Sequence, residues 1–159
     1  MKEIYTNKGV SVQVDDEDYS RLCEYTWHLS SYGYAKRTER YGPRKEDKKL
    51  HIFMHRLIME NPDQDIDHMD GNPLNNQKHN LRLCTHSENM MNKKIYKSNK
   101  SGYTGVHWYK NYNKWIADIR INKKKINLGY FTNLEDAIFT RREAELKYFG
   151  DFARKLPVE

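Results

Sequence analysis

Between positions 67 and 89 the chain reads Asp67-His68-Met69-Asp70-Gly71-Asn72, then Asn75-Asn76, Asn80-Leu81 and Asn89. Hydrolysis of a phosphodiester needs a base to draw a proton from water. It also needs a divalent cation to neutralise charge on the phosphorane and on the leaving oxygen. His68 is of the one residue type whose imidazole ordinarily titrates near neutrality. Asp67 and Asn89 offer hard oxygen ligands of the kind magnesium prefers, leaving its remaining positions for water and phosphate. Taken singly, Asp-Gly-Asn is an ordinary turn and an Asp-His pair is more often surface decoration. It is the joint order and spacing, next to a well-marked helix start, that give the chemical reading its weight.

Stepping outward to what must hold these groups, the pattern predicts a short strand ending at His68, an Asn-rich loop, a second strand over residues 81–84, and a helix. Thr85-His86-Ser87-Glu88 is a capping box, with Thr85 at the N-cap and Glu88 reaching back. Asn89 then lies one turn into the helix and can point across at the strand. Side chains alternate along a strand, so Asp67 and His68 cannot share a face of a regular ladder. A bend or loss of ladder is therefore expected at the strand end. Upstream, residues 10–14 alternate as a strand, 15–18 read as an acidic turn, and Tyr32-Gly33-Tyr34-Ala35 reads as a second hairpin element. Residues 38–49 are charged and contain Gly42-Pro43, predicting an exposed loop. Residues 51–59 predict a strand and a short helix that the Asn61-Pro62 step ends. His51 and His55 stand four apart, but no third ligand follows at matching spacing, so both read as structural.

The second half has a different character. From Met90 to Lys125 there are ten Lys or Arg against the single acid Asp118, nine net positive charges where the whole chain of 159 residues carries +6. A basic segment interleaved with Tyr103, Trp108, Tyr109, Tyr112 and Trp115 favours a nucleic-acid partner over a merely solvated face. Residues 93–101, basic and rich in Ser and Asn, predict a linker. Beyond it come strands over 103–109, 115–121 and 125–131, with a Lys-rich turn at 122–124. Thr132-Asn133-Leu134-Glu135 reads as a second capping box, opening a helix to Phe149 with Gly150 past its end. Leu134, Ala137, Ile138, Ala144 and Tyr148 form the stripe expected to cover one sheet face.

Composition bounds the rest. Hydrophobic residues make up 37% and charged residues 31%, so any core must be thin, with 12 Tyr and 3 Trp supplying much of its area. Cys23 and Cys84 form no CxxC pair, so neither a disulfide framework nor a zinc knuckle is expected. No long apolar run or signal-type segment is present, and a soluble, reducing, cytoplasmic setting without a membrane is the expectation.

His55-Arg56-Leu57, Ile66-Asp67-His68-Met69-Asp70-Gly71-Asn72, Asn75-Asn76, Asn80-Leu81 and Thr85-His86-Ser87-Glu88-Asn89 together resemble the HNH endonuclease motif in its phage homing-endonuclease form. That resemblance implies a ββα-metal site that cuts DNA with one divalent ion, Mg2+ with Mn2+ as a substitute, and no zinc. It makes His68 the general base, Asp67 and Asn89 the metal ligands, and Asn80 the central Asn that braces the loop orienting the base. Asn89 stands where His is the commoner residue, and His55 matches a recurrent position before the motif. Residues 14–19, 25–27 and 33–35 look like the leader of such phage nucleases. Residues 101–108, 114–120, 128–131 and 144–152 resemble an AP2 DNA-binding domain, whose three-stranded sheet enters the major groove. That resemblance implies DNA contacts from Trp108, Trp115 and Arg120, aided by His107, Lys110 and Lys114. Thr104 and His107 stand where the plant domains carry Arg, so their base preference does not transfer.

The expectation is thus an α+β chain: a β-rich leader with a ββα nuclease unit over 1–96, a basic linker at 97–101, and a three-stranded antiparallel sheet on one helix over 102–155. Its expected function is cleavage of double-stranded DNA. One catalytic centre per chain would nick one strand, and a homodimer would be needed for a double-strand break. The rival expectation is a DNA-binding regulator with a relic nuclease fold, against which the complete Asp67, His68, Asn80 and Asn89 set argues.

Overall fold

Strict alternation in Ser11-Val12-Gln13-Val14 turns Val12 and Val14 inward, and both are fully buried. This strand, β2 (Ser11–Val14), pairs antiparallel with β1 (Lys2–Tyr5), placing Ile4 opposite Val12. The computed structural model describes residues 1–42, 48–92 and 99–154 and divides into two compact units, Met1–Asn89 and Met90–Glu159. Among the described residues the first unit holds three small antiparallel sheets and the second holds one, with few helices in either.

In the first unit, the residues expected as an acidic turn instead open helix α1 (Asp16–Leu22), with Asp16, Glu17 and Asp18 in its first turn. Acids there are favourable because they face the positive end of the helix dipole. Leu22 at its end joins the core, and its carbonyl accepts a 2.8 Å hydrogen bond from the indole of the fully buried Trp27. Strands β3 (His28–Leu29), β4 (Ala35–Tyr41) and β5 (Lys48–Phe53) form a three-stranded sheet in that order. The exposed loop expected over 38–49 is thereby corrected: both its ends are strand, with Thr38 opposite His51 and Tyr41 opposite Lys48. This stretch is exposed on both faces, so no apolar period marks it, and its backbone is satisfied across the ladder instead. Gly42 follows at φ 89°, and residues 43–47 lie outside the described ones.

Helix α2 (Met54–Ile58) buries Met54, His55 and Ile58. It is followed by β6 (Asp65–His68), a 3-10 turn over Lys78–Asn80, β7 (Leu81–Cys84) and α3 (His86–Met91). The core joins Val12, Val14, Leu22, Trp27, Met54, Ile58, Ile66 and Leu81, so the leader and the β6–β7 hairpin share one apolar cluster.

In the second unit, β8 (Val106–Tyr109), β9 (Lys114–Ile121) and β10 (Lys124–Phe131) form an antiparallel sheet with β9 central. The first strand begins at Val106 rather than 103, because the chain turns at Gly105. A Cβ there would meet the Asp118 carbonyl at 2.3 Å and Arg141 at 2.5 Å, so this φ of +76° at close approach requires glycine. Asn122 and Lys123, both with positive φ, make the two-residue turn, and Lys124 already belongs to β10.

Helix α4 (Leu134–Phe149) packs Ala137 against Val106 and Ala117, and Ala144 and Phe149 against Ile119. Its N-cap is Asn133, one residue later than expected, and no side-chain cap bond is made there. The expected stripe is corrected at its end: Tyr148 is 44% exposed and Phe149 is buried in its place. Arg141 is also buried on this helix, paired with Glu145 at 2.9 Å. The expected linker is described only from Asn99 onward.

Candidate functional site

The β6–β7 hairpin presents two faces. In register, Asp67 lies opposite Arg82 and His68 opposite Leu81, so the ladder stays regular to the strand's end. The break expected at Asp67 and His68 is absent. Alternation instead sends Asp65 and Asp67 to one face and Ile66 and His68 to the other. On the first face, the Arg82 guanidinium donates to Asp67 Oδ2 from Nε at 2.9 Å and from Nη2 at 2.5 Å. Asp67 is buried, so a charge of opposite sign beside it is physically required.

Helix α3 begins as its sequence predicts. Thr85 N–H donates to Glu88 at 2.8 Å and Glu88 N–H donates back to Thr85 Oγ1 at 3.3 Å. From that fixed start, Asn89 Nδ2 comes within 3.5 Å of Asp65 Oδ2, and His86 Nδ1 lies 3.1 Å from the same oxygen. Asn89 is thus brought to the strand that carries Asp67, with Asp65 as its partner there. Cys84, the cross-strand neighbour of Asp65, is a free thiol. Burial, with the charges of Asp67 and Asp65, pushes its pKa up to about 11.

His68 lies on the opposite face, buried. Its Nε2 is 3.4 Å from Asn76 Oδ1. A carboxamide oxygen accepts only, so the ring donates here when Nε2 carries the proton. Asn76 is itself anchored by its backbone N–H on the Gln13 carbonyl at 2.8 Å, a tie to β2. His55 packs its ring 5.3 Å from that of His68. Burial, then the proximity of His68 and Arg56, holds the His55 pKa down to about 3.

Asn80 organises the loop between the strands. Its Oδ1 accepts from Asp70 N–H at 3.1 Å, and its Nδ2 donates to Asp70 Oδ1 at 3.0 Å and to the Asn75 carbonyl at 2.9 Å. Its carbonyl accepts from Met69 N–H at 2.9 Å, immediately after His68. Partial burial would raise the Asp70 pKa, but the hydrogen bonds from Asn72, Asn75 and Asn80 outweigh it and hold the carboxyl below its ordinary value.

Among the described residues no three His, Cys, Asp or Glu side chains gather as a metal cluster. The oxygens of Asp65, Asp67 and Asn89 on one side of the hairpin are a hard donor set, which fits a magnesium-class ion and not a thiolate-seeking one. Asp65, Arg82, Asn76 and Tyr34 were not assigned roles by sequence reasoning. Arg82 becomes visible only once the strand register is known, whereas Asn76 stood within the quoted Asn pair.

In the second unit, residues paired across strands share a face. Trp108 lies opposite Trp115, and Val106 opposite Ala117, which packs toward α4. Trp115 therefore belongs to the helix-covered side and packs on the Val106, Ala117 and Ala137 cluster. Trp108 stands edge-on to it at 5.3 Å and is 44% exposed. Both tryptophans share the parity of the helix-covered side, which the spacing Trp115, Ala117, Ile119 already carried. The open face holds His107, Tyr109, Lys114, Arg120, Lys125 and Tyr130. Asp118 sits among them, 3.1 Å from Lys125 and 3.5 Å from His107. Tyr112 links Tyr109 and Tyr130 with ring separations of 5.2 and 5.7 Å. A separate cavity of about 470 Å³ brings together His107, Trp108, Lys110 and Trp115 with Lys100. Lys114 and Arg120 are not part of it.

With this geometry in hand, residues 53–91 match a family model described as HNH endonuclease. The chain is 41% identical over 92 residues to Protein 3.8 of Escherichia phage T7, covering 56% of this chain and 73% of that protein. The chain belongs to the family of Protein 3.8 and carries an HNH endonuclease domain. It is also 37% identical over 98 residues to Uncharacterized HNH endonuclease L560 of Acanthamoeba polyphaga mimivirus, covering 60% of this chain and 49% of that protein. The chain thus spans about half the length of the mimivirus relative. No solved structure matches it. The HNH domain contains Asp67, His68, Asn80 and Asn89, and with them His55, Asn76 and Arg82. No helix among the described residues is long and apolar enough to cross a membrane.

Proposed function

We propose that this chain is a divalent-metal-dependent endonuclease of double-stranded DNA, of the homing or phage HNH type. The reading is supported above all by the HNH match over residues 53–91, within which the β6–β7 hairpin and the capped helix α3 carry Asp67 and Asn89 on one face and His68 at the strand end on the other. His68 accepts the proton of the attacking water. Asn76 holds the opposite edge of the ring, and Asn80 fixes the loop that leaves His68. Asp67 and Asn89 hold the ion, Mg2+ or Mn2+, with Asp65 beside them. When bound, the ion supplies neutralisation of charge on the phosphate and the leaving oxygen. Cleavage leaves a 5′-phosphate and a 3′-hydroxyl. One such centre cuts one strand, and a homodimer cuts both.

The second unit is proposed as an AP2-like DNA-binding module. Its open face offers Arg120, Lys114 and His107 to phosphates and base edges, and its tyrosines to sugars. Lys110 and Trp108 contribute from the neighbouring cavity, and Trp115 supports Trp108 from beneath.

The test is incubation of supercoiled plasmid with the protein and Mg2+, with and without chelator. Nicked or linear DNA should form only with metal. His68→Ala should lose about 1000-fold or more in rate while binding DNA within a few-fold of wild type. Cleavage at the wild-type rate by that variant would remove His68 from the mechanism. Binding with no cleavage in any metal would identify the chain as a DNA-binding protein on a nuclease fold.

A further inference from the structure

Two rings from outside the hairpin press on His68. Tyr34, just before β4, has its ring centroid 5.7 Å from that of His68 at an interplanar angle of 40°. His55, from α2, lies 5.3 Å from His68 at 75°. Tyr34 and His55 are 5.1 Å apart, closing a triangle of rings. Phe53 backs both, at 6.4 Å from Tyr34 and 5.7 Å from His55.

The Tyr34 backbone is held as firmly as its ring. Its N–H donates to Ser30 Oγ at 3.1 Å and its carbonyl accepts from Ser30 N–H at 2.9 Å. Gly33 before it has φ +85°, and a Cβ there would stand 3.4 Å from Pro73 in the Asn-rich loop. His55 is buried and its Nδ1 has no hydrogen-bond partner among the described residues, so packing and not hydrogen bonding through that atom sets its position.

We infer that Tyr34, with His55 beside it, is a positioning residue for His68, fixing the imidazole plane by ring contact so that one nitrogen keeps a single direction. The inference rests on the reading of His68 as the base, and it gives the leader a task in the site. Side-chain groups that act on a reacting atom must be held by neighbours that are themselves locked, and small misplacements cost much of the rate. Asn76 bears on one atom of the ring, and the two ring contacts at different angles bear on its plane. Burial, and then the charge of Asp67, hold the Tyr34 phenol pKa above its ordinary value.

The experiment compares Tyr34→Leu, which fills much of the volume without a ring face, with Tyr34→Phe, which keeps the ring. Single-turnover cleavage of plasmid with Mg2+ and DNA affinity are measured together with the His68 side-chain NMR signal, assigned by difference against His68→Gln. Tyr34→Leu should lose between about 10- and 100-fold in rate with DNA affinity unchanged, and its His68 signal should shift and broaden. Tyr34→Phe should recover most of that rate and the wild-type signal. Should Tyr34→Leu lose its fold, Tyr34→Met carries the same comparison. An inactive His68→Ala beside a Tyr34→Leu that cleaves within about twofold of wild type overturns this inference alone. A His68→Ala that cleaves normally overturns the assignment of the base instead.

Discussion

The two units handle charge in opposite ways. In the first, Asp67 is buried against Arg82, His68 is buried among rings, and Asn80 spends its carboxamide on three hydrogen bonds. In the second, Lys114, Arg120 and Lys125 stand exposed on the open side of a thin sheet, with Asp118 alone among them. Burial strengthens electrostatic interactions and fixes geometry, as the proposed cleavage chemistry would require. Exposure suits contact with a polyanion, where gain comes from releasing counterions and each contact is small. The difference teaches that one change in the first unit should cost what several cost in the second.

The comparison is strained hardest at Asp67. Asp67→Asn keeps the shape but removes the negative charge that faces both Arg82 and the proposed ion. Metal-dependent cleavage should fall by about 1000-fold, with DNA binding nearly intact. Plasmid cleavage across a Mg2+ series measures it. A variant restored to full rate by more Mg2+ would mean that Asp67 tunes affinity only, and the contrast between buried and exposed charge would shrink accordingly.

A second break point lies inside the basic unit, between its two tryptophans. Trp115→Ala removes a ring packed on Val106, Ala117 and Ala137 and should destabilise the unit by about 3 kcal/mol. Trp108→Ala, at 44% exposure, should cost less than about 1 kcal/mol. Urea unfolding followed by circular dichroism separates them. Equal costs would place both rings in the core and leave the tyrosines as the aromatic surface of this unit.

These cases also show what was legible in the sequence and why. The β6–β7–α3 sequence was readable because each piece has a local signal: a strand pattern, an Asp-Gly-Asn turn, and a capping box that forms between Thr85 and Glu88. The hairpin of β4 and β5 was not, since residues exposed on both faces carry no period and Gly42-Pro43 reads as loop. Helix α1 was hidden because Asp16, Glu17 and Asp18 suit a turn as well as a helix start. The side of Trp115 was legible by counting by two along β9, which sets it with Ala117 and Ile119 toward the helix. Arg82, Asn76 and Tyr34 meet their partners only through register and tertiary contact, at separations that no local pattern reports.

The first unit should respond to pH through His55. Its folded pKa of about 3 lies below the ordinary 6.5, so between these values the unfolded chain binds a proton that the folded chain does not. Stability is therefore fully present above about pH 6.5, is lost as pH falls through that window, and levels off below about pH 3. The loss between pH 7 and 5.5 should be about 1 kcal/mol. Urea midpoints of wild type and His55→Asn across this range test it, and the variant should show a flatter slope. Parallel slopes would mean that His55 is solvated in the folded protein and does not belong to the buried, fixed side of the comparison.

The smallest single effects belong to the open face of the second unit. Arg120→Ala and Lys114→Ala each remove one exposed cation that no neighbouring fold element needs. If each meets one phosphate, the slope of log affinity against log salt should fall by about 0.9 per variant on duplex DNA. Affinity should drop only several-fold, and by the same factor on unrelated sequences, because phosphate contacts position without specifying. Fluorescence anisotropy with two duplexes over a salt series reads both quantities. A loss confined to one duplex would turn the residue concerned into a base contact, worth about 1–3 kcal/mol of discrimination. Arg120 is the better candidate for that outcome, since its guanidinium can bind a guanine edge through two hydrogen bonds and the Lys114 ammonium has no such fork. The two substitutions therefore divide the open face: a shared salt slope makes it a grip on the backbone, and a split between Arg120 and Lys114 makes it a reader of sequence.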